Sequence, residues 1–385
     1  MQENLHKELI QHRRYLHQNP ETGLELPNTV AYVKKVLTEY GYTPKQCGNG
    51  ITADIGTGNI TVLLRADMDA LPITEQSTVP YKSKKVGVMH ACGHDMHTAM
   101  LLGAAKLLKE QEHQLNGRAR LMFQPGEEVL EGAKNMLENG VLDAPIPKAA
   151  FMVHVSAGIP FKTGTLIVSV PGTVAPSSDH FCITIKGKGC HGSIPQAGLD
   201  PILAGANFLT AVQTLQTREF ASENIILTFG IFKAGESANV IPESAVLYGT
   251  LRTFDEEIRT KYKERLQNLL KNCTAAFECT GSVCYTAECP TFLCDKSLSD
   301  FSFKIFKKAI SSASIPKGYG SEDFAFISQK IPTVLVYLPA GDSRNGYPFP
   351  LHNANVTFDE SALEAGARAY TDFAIQYLKN SANFN

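Results

Sequence analysis

The sequence has no imbalance of charge, no long apolar run and no ordered cysteine framework, and each lack narrows what the chain can be. Its 36 Lys and Arg nearly cancel its 38 Asp and Glu, for a formal net charge of −2, and the pI is near 6.6. There is thus no basic field to attract nucleic acid and no polybasic segment to hold a membrane surface. The expected partners are small molecules and further copies of the same chain. No apolar stretch approaches the roughly 20 residues that a membrane-spanning helix needs. The opening Met1-Gln2-Glu3-Asn4-Leu5-His6-Lys7 has neither the basic start nor the apolar core of a signal peptide, so the expected location is the cytoplasm. Nine cysteines are spread irregularly, and an odd count without an export signal predicts free thiols. Cys279, Cys284, Cys289 and Cys294 recur every five residues, a step that suits neither the CxxC knuckles of structural zinc nor one face of a strand. Internal repeats and low-complexity tracts are also missing.

What is present is an ordinary globular composition, 43% hydrophobic and 19% charged, over 385 residues. That length exceeds one typical core and predicts two domains or one domain with a large insertion. Leu5 to Tyr40 shows helical spacing broken by the turn signal Asn19-Pro20-Glu21-Thr22-Gly23. Strands are predicted at Ile51–Ile55, Thr61–Leu64, Arg118–Phe123 and Ala149–Val153, with a helix at His97–Gln111. The Pro-, Gly- and Ser-rich run Val170–Ser178 reads as a linker into a new unit. In that unit strand His180–Lys186, helix Asp200–Thr217, strands Asn224–Phe232 and Ala245–Thr253, helix Glu256–Ala275 and strand Ala276–Tyr285 follow in βαββαβ order, a ferredoxin-like α+β layer. The chain then returns to a helix at Ser297–Ser311, a Gly-rich turn at Gly318–Asp323, a strand at Thr333–Leu338 and a last helix at Glu360–Leu378. The predicted division is 1–176 and 291–385 for an α/β domain and 177–290 for an insertion.

The most informative stretch is Met89-His90-Ala91-Cys92-Gly93-His94-Asp95-Met96-His97. Thiolate and imidazole are the usual ligands of zinc and its neighbours, and a nearby carboxylate can bind or orient an imidazole. Asp67 and Asp69 follow the strand at Thr61–Leu64, Glu127 and Glu128 follow the strand at Arg118–Phe123, and His154 ends the run Ala149–Val153. Strand C-terminal ends are where α/β sheets place their sites. Neighbouring side chains at a strand end point in different directions, so one of Glu127 and Glu128 can bind a metal while the other faces the open coordination position and handles protons. Taken singly, each has a plain explanation: a solvated Glu-Glu pair, loop acids at Asp67 and Asp69, a core His154, a loop His352. As a set, Cys92, His94, Glu128, His154 and His352 offer enough ligands for one or two transition metals.

Four stretches occur in an order that resembles the M20 metallopeptidase family: Arg65-Ala66-Asp67-Met68-Asp69-Ala70-Leu71-Pro72, His90-Ala91-Cys92-Gly93-His94-Asp95, Gln124-Pro125-Gly126-Glu127-Glu128 and Gly187-Lys188-Gly189-Cys190-His191-Gly192. The nearest likeness is the amidohydrolase branch of hippurate hydrolases, N-acyl-amino-acid hydrolases, auxin-conjugate hydrolases and N-acetyldiaminopimelate deacetylases, and it runs from His12-Arg13-Arg14 to the last helix. The resemblance implies a zinc-peptidase-like α/β catalytic domain with a mixed sheet and an inserted lid that also dimerises. It implies two divalent ions (Mn, Zn, Co or Ni) on Cys92, His94, Glu128, His154 and His352, with Glu127 as general base and acid and Asp67 and Asp69 behind the ligands. His191 resembles the histidine that reaches the partner subunit's active site and polarises the scissile carbonyl. Asn239 and Arg252 resemble lid positions that hold substrate, Arg252 through a carboxylate. Gly126 stands where alanine is common, Gln196 follows Pro195 where many relatives have histidine, and Met152 stands where aromatic or small residues are common.

The activity implied is hydrolysis of the amide of an N-acyl amino acid. Deacetylation of a diaminopimelate precursor or dipeptide cleavage would use the same chemistry. A non-catalytic homodimeric metal-binding protein is the alternative outside enzymes, but a structural metal site has no use for a free base such as Glu127.

Overall fold

The computed structural model describes residues 2–314 and 318–380. Its chain divides into two compact units, one of residues 1–174, 293–317 and 322–385 and the other of 175–292 and 318–321.

In the first unit α1 (Gln2–Gln18) and α2 (Pro27–Glu39) precede the sheet. Pro27 opens α2, where a missing N–H has no helical partner to lose. β1 (Lys45–Cys47) and β2 (Gly50–Gly56) lead to β3 (Thr61–Asp67). β2 alternates between buried and half-buried residues, whereas every residue of β3 is buried. A strand covered on both faces reads as a continuous apolar run, so β3 is an interior strand. α3 (His94–Glu110), β4 (Arg118–Gln124), α4 (Gly132–Glu138), β5 (Pro147–Ser156), β6 (Ile167–Val168) and β7 (Gly172–Ala175) follow.

The second unit contains β8 (Ser178–Lys186), β9 (Cys190–His191), α5 (Pro201–Thr214), β10 (Ile225–Ala234), β11 (Val240–Ile241), β12 (Ser244–Thr253), α6 (Glu256–Ala275) and β13 (Thr280–Cys289). Its four long strands form an antiparallel sheet in the order β10-β12-β8-β13, and β9 pairs with β11. Asp200 and Asp255 cap the two helices, accepting from Ile202 and Leu203 N–H and from Glu257 and Ile258 N–H respectively. Phe181, Ile183, Ile185, Phe208, Leu247, Leu251, Leu266 and Leu270 form the core between sheet and helices. On the opposite face Cys182 stands across from Cys284.

After β14 (Phe292–Cys294), which pairs with β7, the chain supplies α7 (Lys296–Ile305), β15 (Ile310–Ser311), α8 (Ala325–Ser328), β16 (Thr333–Pro339) and α9 (Ala362–Lys379). The main sheet has the order β1-β2-β4-β3-β5-β16-β6-β15. It is mixed: β4, β3, β5 and β16 run parallel, β1–β2, β2–β4 and β16–β6 are antiparallel, and β15–β6 is parallel. Helices α1, α3 and α9 pack together. Tyr370 of α9 donates its hydroxyl to Arg65 O at 2.7 Å and accepts Val153 N–H at 3.1 Å, tying that helix to β3 and β5. No helix among the described residues is long and apolar enough to cross a membrane.

Several sequence-based boundaries move. The helix expected at Ser297–Ser311 stops at Ile305, because Ile310 and Ser311 pair with Ile167 and Val168 of β6 instead. The strand expected at Ala276–Tyr285 runs over Thr280–Cys289; the residues after α6 make a turn in which Glu278 takes φ +56°. α3 begins at His94 and not His97. The units change over two residues away from positions 176/177 and 290/291, and Gly318–Ser321 groups with the second unit. There Arg252 Nη1 donates to Ser321 Oγ at 2.8 Å and to Tyr319 O at 3.2 Å.

Candidate metal centre

The parallel strands deliver their chemistry at one edge. Asp67 is the last residue of β3, Glu127 and Glu128 lie just beyond β4, and His154 is near the end of β5. His94 and His97 occupy the first turn of α3. That helix has Gly93 as its N-cap, at φ +86°, and a Cβ there would stand 2.4 Å from Val155 Cγ2. Left-handed backbone and close approach together demand glycine, and they let Cys92 and His94 turn into the same space. His352 arrives from the loop after β16 with φ +64°, an uncommon conformation for a non-glycine residue, fixed by its N–H bond to Ala91 O at 2.9 Å.

These residues converge. Cys92 Sγ is 3.3 Å from His352 Nε2 and 3.8 Å from His154 Nε2. His352 Nε2 is 3.4 Å from Glu128 Oε1, and His94 Nε2 is 3.8 Å from Glu128 Oε1 and 3.9 Å from Glu127 Oε2. Three donor groupings share these residues: Cys92, His94 and His154; Cys92, Glu128 and His352; His94, Glu127 and Glu128. Both ring nitrogens of His94 and Oε1 of Glu128 are buried and find no hydrogen-bond partner among the described residues. Buried polar atoms without partners are costly, and here they surround a sulfur, imidazoles and a carboxylate, a donor set that fits divalent transition metals.

The surrounding bonds fix ligand orientation. His154 Nδ1 donates to Val155 O at 2.7 Å, which leaves Nε2 facing Cys92. Val155 N–H donates to His97 Nε2 at 2.8 Å, so the proton of His97 is on Nδ1 and is given to Asp67 Oδ1 at 2.6 Å. Asp69 accepts the backbone N–H groups of both Glu127 and Glu128, each at 3.0 Å, and its Oδ1 lies 3.4 Å from His94 Nδ1. The Glu-Glu turn is therefore built on one buried carboxylate.

Electrostatics follow the same plan. Burial alone would raise the Cys92 thiol, but His94, His154 and His352 outweigh it and bring the group down to about 6. Burial depresses His154, yet the Cys92 sulfur holds it up at about 9; the Cys92 sulfur and the Glu128 carboxylate beside it raise His352 to about 10. The sulfur is thus drawn toward the thiolate, the form in which a thiol ligates a metal. Glu127 is only 6% exposed, and burial, then Glu322 and Glu128, push its carboxyl well above the usual range.

Sequence reasoning passed over the second half of this cluster. Arg65, fully buried, donates to Asp67 Oδ2 at 2.8 Å, Glu322 Oε1 at 2.7 Å, Asp323 Oδ1 at 3.3 Å and Gln124 Oε1 at 2.9 Å. Asp323 also accepts Gln124 Nε2 at 2.6 Å and Ala133 N–H at 2.8 Å, and Glu322 and Asp323 lie beside Glu127. An arginine inside an apolar strand was the available signal, since a buried guanidinium needs carboxylates. Of the other expected site residues, His191, Asn239 and Arg252 belong to the second unit. Pairing of β9 with β11 brings the first two together, Gly192 N–H reaching Asn239 O at 2.7 Å, while Arg252 lies on β12. None of the donor groupings found among the described residues includes Cys279, Cys284, Cys289 or Cys294.

Comparison with known proteins agrees with this chemistry. Residues 63–376 match the sequence profile of Peptidase family M20/M25/M40. An N-acetyl-L-cysteine deacetylase of Bacillus subtilis is 37% identical over 93% of this chain and 85% of its own length. A hippurate hydrolase of Campylobacter jejuni is 33% identical over 95% of this chain and 96% of its own. The crystal structure of a dinuclear metal-binding peptidase of the M20 family from Bacillus subtilis superposes with a TM-score of 0.83 at 30% identity, covering 98% of this chain and 99% of that one. The chain belongs to peptidase family M20/M25/M40, in its amidohydrolase branch, and is a metal-dependent hydrolase of amide bonds.

Proposed function

We propose that the protein hydrolyses the amide of N-acyl amino acids, with two divalent ions held by Cys92, His94, Glu128, His154 and His352. The observation that carries this reading is the Cys92 sulfur between His352 and His154, 3.3 and 3.8 Å away, with the carboxyl of Glu127 beside the unpartnered His94. Bound there, the ions would supply Lewis-acid chemistry, polarising the scissile carbonyl and acidifying a water. Glu127 takes the proton of that water and returns it to the leaving nitrogen, a task suited to a carboxyl whose pKa is raised by burial and neighbouring acids. Asp69 holds the Glu127–Glu128 turn in register, and Asp67 orients the imidazoles of α3. His191 donates to the carbonyl oxygen in a dimer formed through the second unit, which acts as the lid, and Asn239 and Arg252 hold the amino-acid part of the substrate.

The test is release of free amino acid by chelator-stripped protein, with and without Mn²⁺ or Zn²⁺, from N-acetyl and N-benzoyl amino acids, N-acetyldiaminopimelate and dipeptides. Metal-restored cleavage of N-acyl amino acids is expected. Preference for dipeptides or for the diaminopimelate derivative would replace the substrate assignment. Glu127→Gln should bind metal normally and lose nearly all turnover; retained turnover would refute its role.

A further inference from the structure

We propose that Ser193 is a positioning residue whose backbone N–H holds Nδ1 of His191 as an acceptor and so keeps the ring proton on Nε2, and that this histidine thereby meets the substrate as a hydrogen-bond donor. The inference rests on the role proposed above for His191 and deepens it.

The backbone around His191 is closely determined. His191 pairs with Val240 across β9 and β11, Gly192 N–H bonds to Asn239 O, and Ile194 N–H returns to His191 O at 2.9 Å, closing a tight turn. A Cβ on Gly192 would stand 2.9 Å from Asn239 O, so only glycine allows the two segments to approach this far. The turn brings Ser193 beneath the ring. Its backbone N–H points at His191 Nδ1 from 3.1 Å and its hydroxyl lies 2.8 Å from the same atom.

A backbone N–H can only donate, so Nδ1 must present its lone pair, and an imidazole that accepts at Nδ1 carries its proton on Nε2. The hydroxyl can donate to Nδ1 or accept from it, so the backbone N–H is what decides the tautomer. Protonation of Nδ1 would set N–H against N–H and forfeit the backbone bond. Both residues are exposed, and among the described residues no acceptor takes the Nε2 proton. The donor is thus free and its direction is fixed. A developing oxyanion is stabilised best by a donor that needs no reorganisation when the charge appears. A histidine free to exchange tautomers would present a lone pair to the carbonyl oxygen part of the time.

The experiment is two-bond ¹H–¹⁵N correlation on the full-length protein labelled with ¹⁵N-histidine, His191 being identified by the signal lost in His191→Gln. The wild type should show a protonated Nε2 and an unprotonated Nδ1. Ser193→Pro removes the backbone N–H, so it should raise the Nδ1-protonated fraction and lower kcat about 10-fold, part of the 10²–10³ attributed to a whole oxyanion donor, with KM changed about 2-fold or less. Ser193→Ala, which loses the hydroxyl and keeps the N–H, should hold the wild-type tautomer. A protonated Nδ1 in the wild type overturns the proposal outright, as does a folded Ser193→Pro protein with unchanged tautomer and unchanged kcat. Full turnover by His191→Gln would instead remove the catalytic reading of His191, whatever tautomer the spectrum reports.

Discussion

Replacing Asp69 with asparagine exchanges one oxygen for an NH₂ group at the base of the Glu127–Glu128 turn, and its effect can be worked out from the bonds. Asp69 is fully buried and accepts both N–H groups at 3.0 Å. Hydrogen bonds to a charged acceptor contribute about 1.5–3 kcal/mol each and those to a neutral one about 0.5–1.5. The amide oxygen of Asn can serve one N–H; the other then faces the NH₂ group, and a buried donor left unsatisfied costs about 1–3 kcal/mol. Together these predict roughly 2–4 kcal/mol lost at this turn. Part of the loss should appear as weaker metal binding, about 10–100-fold, as is usual when a group supporting a ligand is removed. The rest should appear as local opening: about 2 kcal/mol corresponds to roughly 30-fold faster amide exchange at Glu127 and Glu128. Titration of stripped Asp69→Asn protein with Mn²⁺ against a fluorescent chelator reads the first, and hydrogen–deuterium exchange of the metal-free protein reads the second. Wild-type values in both would refute the role given to this carboxylate.

His17 lies between two acids, its Nδ1 2.8 Å from Asp95 and its Nε2 3.2 Å from Glu75. Burial and then Arg13 lower its pKa, but Asp95 and Glu75 outweigh them and the net shift is upward. It therefore contributes stability that is whole below pH about 6.5, the ordinary histidine value, and is lost as pH rises through the folded value. The Tm difference between metal-free wild type and His17→Gln should be largest near pH 6 (about) and shrink on the alkaline side; a difference that grows with pH would contradict this. On the open face of the second unit, Cys182 and Cys284 are direct cross-strand neighbours. Opposed antiparallel residues have Cα atoms about 4.5–5.5 Å apart, within the range a disulfide spans. Oxidised glutathione in excess should thus take two electrons and two protons from this pair and close one disulfide, lost in Cys284→Ser; peptide mapping that finds both thiols intact would refute it.

The readable parts of this protein were those whose determinants are local. Cys92 and His94 announce themselves because two metal-binding side chains share one turn, and Glu127–Glu128 and His154 because each ends an apolar run. What stayed hidden depends on long-range partners. Arg65 and Glu322 are 257 residues apart in the chain, so Gly318–Asp323 reads as a polar turn and nothing in it signals a buried ion cluster. Ile310 and Ser311 prolong a helical pattern, and only their pairing with β6 makes them a strand. The start of α3 was misplaced for a different reason: its first turn is made of polar site residues, and its cap is a left-handed glycine where Ser, Thr, Asp or Asn would have marked the boundary.

The order of strands in the main sheet bears on how the chain is synthesised. β5 and β6 are consecutive in the chain, yet in the sheet β16 lies between them, parallel to β5 with Thr333 opposite Ala150 and antiparallel to β6 with Val336 opposite Val168. Until residues 333–339 leave the ribosome, the nascent sheet has a gap beside its interior strand and two unpaired edges. The second unit's strands and helices, complete by Cys289, can fold during that interval, but the first cannot close. His352 emerges later still, so no chain that ends before it can assemble the whole donor set. A product released before Thr333 would expose β5 as an open, apolar edge, the kind of surface that chaperones capture and that otherwise seeds aggregation.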